Sequence, residues 1–220
     1  NRAEALVNGD EAYPEMCRLI AEAKQEVLLQ SYIFDNDRAG QLFIPALKQA
    51  VKNGAKVKVL VDGVGLNYSK PTIDAALRKI KGLDFAVFLP SKSPINLPFV
   101  NLRNHRKILI VDGETAVFGG MNIAAGNLVK TNPKEPIQDI TFKVSGPVVD
   151  QMSRVFEEDW LFAGKDHFTP ISFNESKRLP GHMPARIIPD GPDSDYGKLE
   201  QLILGALSCA QHSVSIVTPY

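Results

Sequence analysis

The chain has 220 residues, with 25 Lys and Arg against 25 Asp and Glu and a hydrophobic fraction of 44%. That length buries one substantial core and the beginning of a second. Zero net charge argues against a protein whose main grip is a broad basic face on nucleic acid, and still allows a local basic cleft.

Apolar periodicity alternates between helix and strand along the chain. Met16, Leu19, Ile20 and Ala23 share one helical face, and Val27 to Phe34 follow as a strand. Leu42, Phe43, Ala46, Leu47 and Ala50 repeat at helical spacing, and Asn53-Gly54 supplies the stop. Val57 to Val61 reads as a buried strand, Ile73 to Ile80 as a helix and Phe85 to Leu89 as a strand. A Pro-, Ser- and Asn-rich loop runs from Pro90 to about Pro98, and Ile95, Leu97 and Phe99 read as packed loop residues. Lys107 to Val111 and Thr115 to Phe118 are strands joined through Asp112-Gly113-Glu114, a tight hairpin turn. Ile140 to Val144 is another strand, and an amphipathic helix runs from Pro147 to Leu161. This order predicts an α/β/α sandwich with helices on both faces of one sheet, which the hairpin makes mixed.

From about Gly164 to Pro184 the pattern fails, and the stretch reads as a linker. Beyond it, turn, helix and strand recur as they do near Asn8. Asp190-Gly191, Leu202-Ile203, Ala210 and Val214 to Tyr220 echo Asn8-Gly9, Leu19-Ile20, Ala23 and Val27 to Tyr32. The expected organisation is a first unit over 1–163, a linker over 164–184 and the start of a second, similar unit over 185–220. The first residue is Asn1 rather than Met, so the sequence reads as a piece of a longer chain. No run reaches the ~18 apolar residues of a membrane span, and no signal peptide is visible. Cys17 and Cys209 do not make a disulfide framework and read as buried free thiols.

The stretch that carries chemistry is Asn104-His105-Arg106-Lys107, with Asp112 behind it and Gly119-Gly120-Met121-Asn122 after the hairpin. In a strand His105 and Lys107 point to one face, and Ile108 and Ile110 to the other. The hairpin returns Gly119, Gly120 and Asn122 to the start of that strand, where the glycines permit close backbone approach. These groups suit a phosphate. Lys107 offers a point charge and Asn122 an amide donor to the non-bridging oxygens. His105, near neutral at working pH, can attack phosphorus. Fixed donors of this kind need no divalent metal or other cofactor. Gly63-Val64-Gly65 lacks the third glycine of a dinucleotide site, because Tyr68 stands there. Asp35-Asn36-Asp37 lacks the glycine and glutamate of a calcium loop and reads as a polar turn.

The full string is His-x-Lys, four residues, Asp, six residues and Gly-Gly-x-Asn. It resembles the signature of the phospholipase D superfamily, and its context resembles the bacterial cardiolipin synthase branch. Asn8-Gly9, Asp62-Gly63-Val64-Gly65, Gly146-Pro147, Gly191-Pro192-Asp193-Ser194 and Thr218-Pro219-Tyr220 extend the likeness over nearly the whole chain. The resemblance implies a phospholipase D-like sandwich and phosphatidyl transfer through a phosphohistidine on His105. It implies a catalytic set of His105, Lys107, Asp112, Asn122 and Asp139, with Asp139 orienting the histidine. By strand alternation Asp112 does not share the His105 face and reads as structural, through turn hydrogen bonds. Substrate binding falls to Lys107, Asn122, Gly120 and Arg103, with no metal and no cofactor. The substrate is a phospholipid of the phosphatidylglycerol kind, and nucleic acid is disfavoured. The parent protein belongs at a bacterial inner membrane, with this piece itself soluble. A second histidine, the acid and base, is expected at roughly position 292 from the repeat, or else from a homodimer partner. The remaining readings are a metal-independent phosphodiesterase or nuclease of the same fold, and an inert phosphate- or lipid-binding piece.

Overall fold

In a computed structural model, which describes residues 1–90, 103–174, 176, 181–190 and 197–216, the apolar runs become a seven-stranded mixed sheet. Its strands are β1 (Arg2–Val7), β2 (Glu26–Ser31), β3 (Lys56–Asp62), β4 (Leu83–Phe88), β5 (Ile108–Val111), β6 (Thr115–Gly119) and β7 (Ile140–Ser145). Their spatial order is β1-β7-β6-β5-β2-β3-β4. β2, β3 and β4 are parallel, whereas β5 runs antiparallel to β2 and the pairing stays antiparallel out to β1. The helices are α1 (Asn8–Glu22), α2 (Arg38–Lys52), α3 (Asp74–Arg78), α4 (Val148–Phe162) and α5 (Lys198–Cys209).

β2 is buried along its whole length and β3 over Val59–Asp62, so Val27-Leu28-Leu29 and Val59-Leu60-Val61 read as continuous apolar runs. Val27, Leu29, Val59, Val61, Leu109 and Val117 pack in one core with Ile20 of α1, Phe43 and Leu47 of α2 and Leu77 of α3. The alternate residues Leu28, Leu60, Ile110, Ala116 and Val144 are buried on the other face, where α4 brings Met152, Phe156 and Trp160. Each such leucine or phenylalanine contributes roughly 1.5–3 kcal/mol. Asp37 caps α2 by accepting from the amides of Ala39 and Gly40. The polar turn at 35–37 is thus a helix start.

The hairpin turn has Asp112 and Gly113 both in the left-handed region, at φ 53° and 64°, the type I′ form that suits strand twist. β1 has no counterpart in the sequence reading. Only Leu6 of its six residues is buried, so it lacks an apolar alternation; its pairing to β7 defines it. The chain divides into two compact units, Asn1–Ala185 and Arg186–Tyr220. Within the first, the segment after α4 is anchored. Ile171 donates to buried Glu26, and buried Phe173 donates through its amide to Asp150. In the second, every residue of α5 is exposed, including Cys209, so the expectation of two buried thiols holds only in part. Cys17 is half-buried, and burial pushes its thiol up to about 12. Residues 214–216 are not in a strand; the rest of the strand expected there, and Ile95, Leu97 and Phe99, lie outside the described residues.

Candidate active site

Topology alone gathers the site. Parallel β2 and β3 end at Ser31 and Asp62, and antiparallel β5 begins where they end. β6 then returns to that edge at Gly119 and β7 starts from it at Ile140. Tyr32, Asp62, His105, Lys107, Gly120, Asn122 and Asp139 therefore meet at one edge of the sheet. Open α/β sheets bind ligands at such carboxyl ends.

His105 and Lys107 lie just before β5, because regular pairing starts only at Ile108 and not at Lys107. His105 is exposed and its ring stacks on Tyr32, with centroids 4.1 Å apart and planes 16° apart. Tyr68 meets the same tyrosine edge-on at 6.2 Å. Burial and the Tyr68 hydroxyl push the Tyr32 phenol up to about 12, so Tyr32 stays a neutral platform. Burial and the neighbouring Lys107 hold the His105 imidazole below its usual range, against an opposing pull from Asp62. That direction favours the neutral, nucleophilic ring.

The Lys107 ammonium donates to the His105 carbonyl at 2.6 Å and lies 5.3 Å from the centre of the Tyr32 ring. Burial lowers it to about 8, while Asp139 and Asp62 pull the other way. Beneath it is a cavity of about 20 Å³ lined by Tyr13, Leu29, Ser31, Val117 and Thr141, room for about one water. Asn122 is fixed from two sides. Its Oδ1 accepts from the Ile33 amide, and its carbonyl accepts from the Tyr13 hydroxyl on α1 at 2.7 Å. Since Oδ1 is engaged by a backbone donor, the amide NH2 remains as a donor.

Asp139 precedes β7, and one of its carboxylate oxygens accepts from the Ile140 amide. Its negative charge favours the ammonium form of Lys107. Gly120 explains its nearness: a Cβ there would lie 2.9 Å from Asp139 Oδ2. Gly120→Ala is expected to fold, since the atom it meets is the end of a side chain. It should displace the carboxylate and move the alkaline edge of the kcat/KM profile to lower pH; an unchanged profile would contradict this.

Arg103 stands behind the site against Asp62, and Asp112 is placed elsewhere. Arg103 is turned inward, its side chain 9% exposed and its guanidinium donating to the Leu89 carbonyl. Asp112 sits at the far end of β5, roughly 20 Å of extended chain from His105. Its carboxylate accepts from the amides of Lys24, Gln25 and Glu26, so it secures the start of β2 and takes no place beside the histidine. Sequence reasoning missed Tyr32 as the platform under His105. The signal was its place at the end of the first apolar strand.

This fold, with a histidine, lysine and asparagine at one sheet edge, is of the phospholipase D kind. Solved structures agree on the fold. A phospholipase D family member, Nuc from Salmonella typhimurium, superposes with a TM-score of 0.54 at 18% identity, covering 73% of this chain and 95% of that one. The phosphatidylserine synthase of Haemophilus influenzae gives 0.56 at 20% identity, over 69% of this chain and 35% of that one. Residues 16–160 match the family described as "Cardiolipin synthase, PLD-like domain", and the chain belongs to that family. Cardiolipin synthase 1 of Bacillus cereus is 32% identical over 98% of this chain and 44% of its own length. The major cardiolipin synthase of Bacillus subtilis is 32% identical over the whole chain and 46% of its own. The chain thus spans less than half the length of these relatives.

Proposed function

We propose that this chain carries one half of a phosphatidyl-transfer site acting on a phospholipid of the phosphatidylglycerol kind. The observation that supports it is the placing of His105, Lys107 and Asn122 at one edge of a cardiolipin synthase-family domain. His105 attacks the phosphodiester phosphorus. The P–O bond to the leaving alcohol breaks, and a phosphohistidine forms. Lys107 and the Asn122 amide take the charge on the non-bridging oxygens, which is greatest in the transition state. The acceptor alcohol then attacks phosphorus and releases His105.

The leaving alkoxide needs a proton, and the acceptor must lose one. The 220 residues hold no second His-x-Lys. In this reading a second histidine comes from outside residues 1–220, in a second similar half or a partner copy. The substrate is presented at a membrane surface. No helix among the described residues is long and apolar enough to cross one.

The test is covalent trapping. Complete protein quenched in acid-free conditions after brief exposure to head-group-labelled or phosphorus-labelled lipid should carry the phosphorus label, and not the released alcohol, on the peptide containing His105. The label should be absent from His105→Ala. Full turnover by His105→Ala, or label on another residue, would refute the assignment.

A further inference from the structure

We infer that Asp62, at the C-terminal end of β3, is a positioning residue for His105, fixing both the main chain that carries the imidazole and the turn behind its stacking platform. This rests on the reading of His105 as the nucleophile. No part of the His-x-Lys string names Asp62, which stands 43 residues before the histidine.

Asp62 is 1% exposed. A carboxylate so buried is costly unless donors surround it. One oxygen accepts from the Val64 and Gly65 amides at 2.8 and 3.3 Å, which closes the turn after β3. The other accepts from the Asn104 amide at 3.2 Å, the residue immediately before His105. Turn closure alone would not require that second oxygen to reach across to another segment. The turn is also pressed against the platform: a Cβ at Gly65 would lie 1.7 Å from the Tyr32 carbonyl oxygen. Asp62 therefore holds His105 by its chain from one side and backs Tyr32, the ring on which the imidazole rests, from the other.

The charged and titratable groups around the imidazole are Tyr32 just after β2, Asp62 from β3, and Arg103 and Lys107 from its own segment, with Asp139, before β7, acting on Lys107. Asp62 and Asp139 supply the negative charge, and Asp62 acts on both His105 and Lys107.

Asp62→Asn in the complete protein is the test. It keeps the shape, removes the charge and turns one amide donor toward another. The His105 ring, followed by NMR with labelled histidine, should titrate about half a pH unit or more lower. The value of kcat should fall roughly 10- to 100-fold with KM within about threefold, as expected when the attacking atom is misplaced. Asp84→Asn, whose carboxylate is 66% exposed on β4, should change neither. An unmoved His105 titration, or an unmoved kcat, would overturn the inference. Should Asp62→Asn fail to fold, the wild-type Asn104 amide decides: slow hydrogen exchange supports the clamp, and exchange at the rate of a free amide refutes it. The titration needs no turnover, so the clamp and the nucleophile reading fail separately.

Discussion

Lys107→Met is expected to yield a protein that is more stable than the wild type and nearly inactive. The ammonium is held where burial disfavours its charge, lowered to about 8 from an ordinary 10.5. Below pH 8 the group is charged in both folded and unfolded chains, and folding carries the whole desolvation cost. Between pH 8 and 10.5 the folded form is neutral while the unfolded form is still charged, so the cost shrinks as pH rises. It is gone above 10.5. Methionine fills a similar volume without that cost. The gain at pH 7 should be about 1–2 kcal/mol once the water that reaches the ammonium is allowed for. It should fade between pH 8 and 10.5, which thermal melts across that range will show.

The loss of function has the same source. A charge held in a partly buried pocket acts more strongly on a phosphate than one in open water, and removing it should lower kcat/KM roughly 10³-fold. In the wild type, kcat/KM should fall above about pH 8 as the free enzyme loses the ammonium proton. Lys107→Arg should recover part of the rate and lose that alkaline limb, because a guanidinium does not titrate there. A Lys107→Met variant that is destabilised, or a rate that stays level to pH 10, would contradict this account of the lysine.

Much of this was legible because the central strands are buried on both faces and the motif is local in sequence. His105, Lys107, Gly120 and Asn122 lie within 18 positions, and strand alternation with one hairpin is enough to bring them together. What was not legible depends on contacts between distant segments. β1 exists through its pairing with β7, and its own residues are mostly exposed. Tyr32 and Asp62 enter because three separate strands end at one edge, which no spacing within the motif records. Arg103, one residue before Asn104, was expected to bind substrate from the family resemblance. Its guanidinium lies against the Leu89 carbonyl and Asp62, contacts with segments far from it in sequence. Asp139 illustrates the same limit. Its position before β7 was readable, whereas its closeness to Gly120, where a Cβ would lie 2.9 Å from Oδ2, comes from β6 and β7 meeting at this edge.

Asp112→Ala should show the opposite signature to Lys107→Met. The carboxylate accepts from three successive backbone amides, at 2.9, 2.8 and 2.8 Å, across the α1–β2 junction. Those amides belong to the chain that enters the central strand β2, and no helix or strand bond replaces the lost acceptor there. Alanine also fits poorly at φ 53°, a conformation that aspartate and asparagine tolerate better. Together these effects should cost about 2–4 kcal/mol. Asp112→Asn keeps the backbone preference and one acceptor oxygen, and should cost about half as much. Because the residue lies a strand's length from His105, the folded fraction of either variant should keep its pH profile and lose less than about tenfold in kcat/KM. Melts and pH profiles measured on the same samples decide the matter. If Asp112→Asn lost ~10³-fold in rate with no change in melting temperature, the aspartate would belong to the chemistry after all. If it loses stability first, the third letter of the motif is there because β2 must begin at that amide triplet for Tyr32 to end up beside His105.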